Sequence, residues 1–253
     1  SIAGAVVFGA AWAFIPAYLQ ATRGSHVVIT TIMFNFIAAS LMVFLLVDVI
    51  RDTAQMGPHT VALPKEQWFP SFKDFAALFG IKIRYSPLNI SFLLAIAASV
   101  FVWFLVWKTR WGYEMRAVGH NTQAAIYAGI SPYKNIIIAM CISGGLAGLL
   151  GVNEILGVHH KIVAGFPAGY GFTGIAVALM GRNHPIGIFP AAFLFGILYQ
   201  GGSEVTFDMP NITRYMFVAV QGVIILFSGA LENLFRPQIE SFFVNRLNIK
   251  ASA

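Results

Sequence analysis

The most informative part of the sequence is a polar stretch, residues 108–135, which reads KTRWGYEMRAVGHNTQAAIYAGISPYKN and interrupts a series of uncharged hydrophobic segments. Within it, Asn121 is a favourable helix cap and Gly129 a favourable helix end, and Ser131 followed by Pro132 is typical of the start of a new helix. These signals predict a short helix between two longer ones. Its surface is predicted to be smooth and of low relief, which suits a groove in another protein. Three alanines form that surface: Ala124, Ala125 and Ala128.

The composition is that of a protein that crosses a membrane several times. Hydrophobic residues make up 58% of the 253 residues and charged residues only 10%, against roughly 25% charged residues in an ordinary soluble domain. The net charge of +6 comes from Lys and Arg at segment ends and in loops, which favours membrane topology over nucleic-acid binding as its cause. Cys141 is the single cysteine, which excludes an intrachain disulfide and a cysteine metal cluster. We expect no metal site and no catalytic residue.

Six hydrophobic segments approach the length of about 20 residues that a helix needs to cross a bilayer. A seventh, 170–181, is apolar but too short to span alone at ~1.5 Å per residue. The predicted fold is an all-α, polytopic transmembrane helix bundle with one short or broken membrane helix, forming a single domain over residues 1–253. Because the chain starts Ser1-Ile2-Ala3-Gly4 without an initiator Met, we expect an N-terminally incomplete protein. The six segments are 2–22, 27–47, 90–107, 136–152, 185–202 and 215–231.

Charge distribution gives the predicted orientation. If the seven segments alternate across the membrane, most Lys and Arg residues lie on the side of residues 108–135, which the positive-inside rule assigns to the cytoplasm. Residues 48–89 then form an extracytoplasmic loop that is rich in proline and aromatic residues. Two interpretations of this loop stay open: a solvated connector, or a docking site for a partner.

A glycine-rich stretch, 165–174, predicts a break in the backbone at membrane depth. Broken backbone is tolerated there only when it is buried in protein or lines a watery cavity; a loop outside the membrane is the alternative. Amide side chains can hydrogen-bond a sugar hydroxyl or a base edge, and aromatic rings can stack on a ring of the cargo. Each such residue also fits ordinary helix packing. The candidates for a translocation pathway are Asn35, Phe166, Tyr170, Phe172, Thr173 and Gln221.

Three motifs resemble those of one family of bacterial ABC importer permeases, which serves branched-chain amino acids, ribose-type sugars and nucleosides. Gly112-Tyr-Glu-Met-Arg-Ala-Val-Gly-His-Asn121, followed by Ala124-Ala125 and Ala128-Gly129-Ile130, resembles the family's cytoplasmic coupling segment. Two further motifs resemble the branch for simple sugars and nucleosides. They are Val28-Ile-Thr-Thr-Ile-Met-Phe-Asn35 and Gly169-Tyr-Gly-Phe-Thr-Gly-Ile-Ala-Val-Ala-Leu-Met-Gly-Arg-Asn-His-Pro185.

The resemblance implies a permease subunit in the bacterial cytoplasmic (inner) membrane that forms a pathway for nucleosides or simple sugars. It implies three partners: ABC ATP-binding subunits, a second permease (as a homo- or heterodimer) and an extracytoplasmic solute-binding protein. The chain contains no G-x-x-x-x-G-K-[ST] phosphate loop, so we expect no cofactor of its own and ATP bound by a partner subunit. The residues implied in coupling to the ATPase are Glu114, Arg116, Gly119, Asn121, Ala124, Ala125, Ala128 and Gly129.

Other functions remain open at this point. One alternative is an ABC permease for branched-chain amino acids. An ion-coupled secondary transporter would normally need a charged group within a span, yet Glu154 lies near a segment end. An intramembrane hydrolase could use Ser143 as nucleophile with His159 or His160 as base, but the serine lacks a G-x-S-x-G context.

Overall fold

The computed structural model describes residues 1–50, 57, 59–70, 89–165, 169–208 and 216–227. Across these residues the regular secondary structure is helical, and His59 and Val163 form an isolated antiparallel bridge. The all-α prediction is therefore confirmed. The chain divides into two units, Ser1–Ala168 and Gly169–Ala253.

Among its described residues the first unit has six α-helices: α1 (Ile2–Arg23), α2 (Val27–Phe44), α3 (Ser91–Lys108), α4 (Arg110–His120), α5 (Thr122–Tyr127) and α6 (Pro132–Val152). Two of them continue into π-helical turns: α2 through Leu45–Val49 and α6 through Asn153–His159. A 3₁₀ turn, Lys65–Gln67, lies between α2 and α3.

The second unit contains α7 (Tyr170–Met180), α8 (Pro185–Asp208) and α9 (Met216–Phe227). The turn between α7 and α8 places Arg182 and Asn183 at positive φ. The core of the second unit is apolar, as expected for helices that pack within a membrane protein. The buried core residues are Ala176, Val177, Ala191 and Phe195.

In the part of the chain that the structure describes, five helical segments are long and apolar enough to cross a membrane: Ile2–Arg23, Val27–Val49, Ser91–Lys108, Pro132–His159 and Pro185–Thr206. They confirm five of the six predicted spans. The span predicted at 136–152 is longer than expected, because its helix starts at Pro132 and continues through the π-helical turns. The sixth span, 215–231, lies partly outside the described residues, and its described part is a shorter apolar helix, α9. The prediction that 170–181 is too short to span alone agrees with the 11 residues of α7.

Small residues on both helices let α1 and α6 pack with their backbones in contact. They recur at four-residue spacing: Ala5, Gly9 and Ala13 on α1, and Gly144 and Gly148 on α6. A Cβ atom at Gly144 would lie 2.5 Å from the carbonyl oxygen of Gly9, and one at Gly148 would lie 2.8 Å from the carbonyl carbon of Ala5. Such contact stabilises helix pairs in lipid through close van der Waals packing. We call this contact the α1–α6 crossing.

Candidate functional site

The polar segment 108–135 starts with a tight turn between α3 and α4. Thr109 has an extended backbone; its hydroxyl donates to the carbonyl of Leu105 (2.6 Å) and accepts from the N–H of Gly112 (3.2 Å). Gly112 is buried against the last turn of α3, where a Cβ atom would lie 2.6 Å from the carbonyl carbon of Val106. The absence of a side chain at Gly112 therefore allows the first turn of α4 to pack directly on the backbone of the last turn of α3.

Asn121 both ends α4 and starts α5. Its backbone N–H donates to the carbonyl of Ala117 (3.1 Å). Its side-chain oxygen accepts from the N–H groups of Gln123 (3.0 Å) and Ala124 (3.1 Å), which satisfies two donors that the first turn of a helix leaves free. The predicted helix cap at Asn121 is confirmed.

The other end of α5 is closed by Gly129, which has a φ of 78°. The N–H of Gly129 donates to the carbonyl of Ile126 and that of Ile130 to the carbonyl of Ala125, both at 2.9 Å. This pair of hydrogen bonds is a Schellman motif. Ser131 then occupies the cap position of α6, without a side-chain hydrogen bond, and Pro132 is its first residue. The short helix is therefore fixed at both ends, as the sequence predicts.

One expectation about this surface is corrected. Ala125 is only 3% exposed, so its methyl group is not on the surface with those of Ala124 and Ala128, which are exposed. The reason is that α5 packs on α4 and α6 and must bury one face. Tyr127, at the last position of α5, is 98% exposed. Tyr127 is not among the predicted coupling residues, although an aromatic side chain in a polar segment is a usable signal.

Three further predicted coupling residues lie on α4. Glu114 is engaged within the chain, because it accepts a hydrogen bond from Nε of Arg110 at 3.0 Å, one helical turn away. Arg116 and Gly119 are exposed. Arg116 is therefore an exposed positive charge on α4.

The predicted pathway residues lie in both units. Asn35 is exposed on α2 in the first unit, and Gln221 is half-buried on α9 in the second. Phe172 and Thr173 are exposed near the start of α7. Phe166 lies outside the described residues.

Tyr170, the first residue of α7, makes an aromatic contact that the sequence did not reveal. Its ring meets that of Tyr199 on α8 edge to face, with centroids 6.4 Å apart. Of the glycine-rich stretch 165–174, in which a break is predicted, residues 166–168 lie outside the described residues; Gly169, with a φ of 83°, directly precedes the helix. This left-handed backbone, which glycine adopts without strain, lets α7 begin abruptly.

A cavity of about 490 Å³ lies between α1, α3 and α6. Its lining is apolar, with Val6 from α1, Leu94 and Phe101 from α3, and Ile142 and Leu146 from α6. Sugar hydroxyls need hydrogen-bond partners once they leave water, and the polar side chain in this lining is the thiol of Cys141, which hydrogen-bonds only weakly. The cavity therefore does not suit a polar cargo.

A polar cluster lies at the ends of α3 and α6 that are remote from residues 108–135. The Asn89 side chain donates to the carbonyl of Gly157 (3.1 Å) and accepts from the N–H of Ser91 (3.1 Å). The Ser91 hydroxyl contacts the side-chain oxygens of both Asn89 and Asn153. Asn153 in turn donates to Glu154 (3.3 Å), a buried carboxylate. We call these five residues the Asn89–Asn153 cluster; sequence analysis did not bring them together.

Part of the predicted loop 48–89 packs beside this cluster. The N–H of Leu63 donates to the carbonyl of His160 (2.8 Å), and that of Phe69 to the carbonyl of Leu156 (3.0 Å). His159, the neighbour of His160, places Nε2 3.5 Å from Oε2 of Glu154. Of this loop the structure describes 48–50, 57, 59–70 and 89. Residues 59–70 lie alongside the residues that follow α6.

Comparison with known proteins gives a consistent match. The model of the family described as "Branched-chain amino acid transport system / permease component" matches residues 1–229. The chain is 36% identical over 226 residues to the guanosine ABC transporter permease protein NupP of Bacillus subtilis (strain 168), covering 88% of this chain and 62% of that protein. It is 36% identical over 226 residues to the nucleoside ABC transporter permease protein NupB of Lactococcus lactis (85% and 59%).

A third relative transports a different kind of molecule, according to its name. The chain is 32% identical over 259 residues to the glucose ABC transporter permease protein TsgB13 of Haloferax volcanii, covering 96% of this chain and 64% of that protein. The chain thus spans about three fifths of the length of these curated relatives. No solved structure matches it significantly.

Proposed function

The chain belongs to the family of branched-chain amino acid transport system permease components, and from this membership we propose that it is the membrane-spanning permease subunit of an ATP-driven importer. Together with this membership, the five long apolar helices among the described residues make it a multi-pass protein of the cytoplasmic (inner) membrane. The observation that carries the proposal is α5, a short helix fixed at both ends between two membrane spans, α3 with α4 on one side and α6 on the other.

The segment 108–135 is proposed as the cytoplasmic coupling segment. A helix transmits force well when its ends are closed, and the cap at Asn121 and the Schellman motif at Gly129 close both ends of α5. Tyr127 projects from it as an aromatic side chain of the kind that anchors protein interfaces. The partner is an ABC ATP-binding subunit, which carries out ATP hydrolysis. The proposed contact and support residues are Glu114, Arg116, Gly119, Asn121, Ala124, Ala125, Ala128 and Gly129, with Ala125 acting through internal packing.

The cargo is proposed to be a nucleoside or a simple sugar. The support is the resemblance to permeases named for guanosine, nucleosides and glucose. Amide and aromatic side chains fit such a neutral polar molecule, since amides pair with hydroxyls and base edges while rings stack. The proposed pathway residues are Asn35, Phe166, Tyr170, Phe172, Thr173 and Gln221.

The proposed assembly contains a second permease, two ATP-binding subunits and an extracytoplasmic solute-binding protein. Residues 1–253 act in it as one transmembrane domain. Residues 48–89 form the extracytoplasmic loop, and the packing of residues 59–70 against residues that follow α6 gives part of it a defined surface.

Uptake by intact cells tests this proposal. A strain that lacks the gene is complemented with the full-length gene on a plasmid. Entry of radiolabelled guanosine, ribose and leucine is then measured before and after ATP depletion. We expect guanosine or ribose entry to require both the gene and ATP, and leucine entry to be independent of the gene. Gene-dependent entry of leucine alone would replace the cargo assignment, and gene-dependent entry that survives ATP depletion would contradict an ATP-driven mechanism.

A further inference from the structure

α3 and α6 are connected at both of their ends. At one end the tight turn at Thr109 and Gly112 leads through α4 and α5 into Pro132, the first residue of α6. At the other end Ser91, in the first turn of α3, contacts Asn153, the residue that follows α6. The two helices run in opposite directions, so the segment that contains α5 and the Asn89–Asn153 cluster are at opposite ends of the same pair.

Between these ends the two helices border the apolar cavity. Leu94 and Phe101 of α3 and Ile142 and Leu146 of α6 face this space. Because a cavity separates the middle parts of the helices, close packing there does not set the distance between them. The contacts of the Asn89–Asn153 cluster therefore determine how far the remote end of α3 lies from α6.

The cluster is costly to open. Asn89 and Glu154 are buried, and a buried polar group that loses its partner keeps the full desolvation penalty. Gly157 contributes through its small size, because a Cβ atom there would overlap the Asn89 amide and lie 3.2 Å from Oδ1 of Asn153. The cluster also lies on the π-helical turns Asn153–His159, and π-helical turns occur frequently at functional sites.

We propose that Asn89, Ser91 and Asn153 form a junction that stays closed throughout the transport cycle and makes α3 and α6 move as one body. This inference rests on the proposed function, in which ATP-binding subunits move α5. A displacement of α5 then reaches the remote ends of both spans together, instead of being lost as separation of α3 from α6. The three side chains are positioning residues, since their polar groups are engaged with the protein itself.

A cysteine pair tests whether the junction stays closed. Ser91→Cys and Asn153→Cys are introduced into full-length protein that carries Cys141→Ala, and the assembled transporter is placed in proteoliposomes. The reduced pair lacks the hydrogen bonds, whereas the oxidised pair restores the connection covalently. We expect efficient disulfide formation with and without ATP, and guanosine uptake at least five-fold faster in the oxidised than in the reduced form.

Every other result of this experiment overturns the proposal. Slower uptake after oxidation would mean that the junction must open during transport. Equal uptake in the two states would mean that the connection has no role. Failure of the disulfide to form, both with and without ATP, would contradict a junction that holds these two positions together. Disulfide formation does not require cargo, so a wild-type transporter without ATP-dependent uptake would reject the proposed function while leaving the test of closure intact.

A matched pair of glycine substitutions provides the second test. Gly157→Ala displaces the Asn89 amide, whereas Gly151→Ala enters open space earlier in the same helix. We expect Gly157→Ala to lower the guanosine transported per ATP hydrolysed at least five-fold while the complex still assembles and hydrolyses ATP, and Gly151→Ala to stay within two-fold of wild type. A purely structural role would reduce assembly, hydrolysis and uptake in parallel, and an unchanged ratio in Gly157→Ala would equally refute the junction.

Discussion

The indole ring of Trp68 stacks on the imidazole of His160, with ring centroids 3.7 Å apart and planes within 7° of parallel. The indole N–H also donates to the carbonyl of Leu63 at 2.9 Å. His160 itself has a φ of 53°, a backbone that is uncommon outside glycine. Together these contacts attach residues 59–70 to the chain that leaves α6.

Removing the stacked ring should therefore loosen this attachment. We expect Trp68→Ala to lower the free energy of unfolding by about 1 kcal/mol or more, since a stacked aromatic pair contributes up to about 1.5 kcal/mol beyond its buried area. Thermal unfolding in detergent measures the change. Gln67→Ala, at an exposed position in the neighbouring turn, is the control, and equal melting temperatures for the two variants would contradict the assigned role.

Adding even one methyl group at the α1–α6 crossing should lower the stability of the protein. Gly148→Ala would push the new Cβ into the backbone at Ala5, and overpacking of this kind costs about 1–3 kcal/mol. Gly151→Ala lies three residues further on α6 with nothing within 4 Å and should not destabilise the protein. Comparable thermal stability of both variants would show that α1 and α6 do not pack this closely.

Two glycines of α4 should respond to alanine with opposite sign. Gly112→Ala inserts a Cβ between the carbonyls of Leu105 and Val106 and should destabilise the turn between α3 and α4. Gly119→Ala meets nothing within 4 Å and should increase the free energy of unfolding by about 0.5–1 kcal/mol, because alanine favours a helix over glycine. Thermal unfolding distinguishes the two, and stabilisation by Gly112→Ala would refute the tight turn.

The capping role of Asn121 should depend on a side-chain hydrogen-bond acceptor and not on the size of the side chain. Asn121→Ala removes the acceptor for the N–H groups of Gln123 and Ala124 and should cost about 1 kcal/mol. Asn121→Ser keeps an acceptor and should retain most of the stability. Unfolding of the purified protein measures both, and the cap would be irrelevant if the two variants behaved alike.

Tyr127 should matter for binding and not for folding. At 98% exposure its ring adds little to the stability of the chain, so Tyr127→Ala should leave thermal unfolding unchanged. If the ring anchors the ATP-binding subunit, its loss should weaken that interaction at least ten-fold, which corresponds to about 1.4 kcal/mol. Co-purification of the subunit and guanosine uptake measure the loss.

The matched control is Phe8→Ala, which removes an exposed aromatic side chain from a membrane-spanning helix. Undiminished co-purification of the ATP-binding subunit with the Tyr127→Ala variant would contradict the proposed role of Tyr127 as an anchor.

Features that depend on local chemistry were predictable from the sequence. Hydropathy located five spans to within a few residues at most of their ends. The side chain of Asn121 and the backbone freedom of Gly129 located α5, because a capping residue acts on groups two or three positions away.

Features that depend on tertiary packing were not predictable. The burial of Ala125 and the exposure of Tyr127 follow from which face of α5 lies on its neighbours. The contact between Ser91 and Asn153 joins residues 62 positions apart, and the sequence contains no local signal for such a pairing. The same holds for α1 as the partner of Gly144 and for the π-helical ends of α2 and α6.

Asn121 gives α4 and α5 a shared boundary, since its N–H completes one helix and its side chain initiates the next. Fraying at that residue removes protection from both helices at once, so the two form a single cooperative unit for local opening. Amide hydrogens at Asn121 and Ala124 should exchange with solvent in one concerted event. A force applied to the junction of α4 and α5 is then opposed by the combined stability of the two helices. The junction is therefore more rigid than either short helix would be alone.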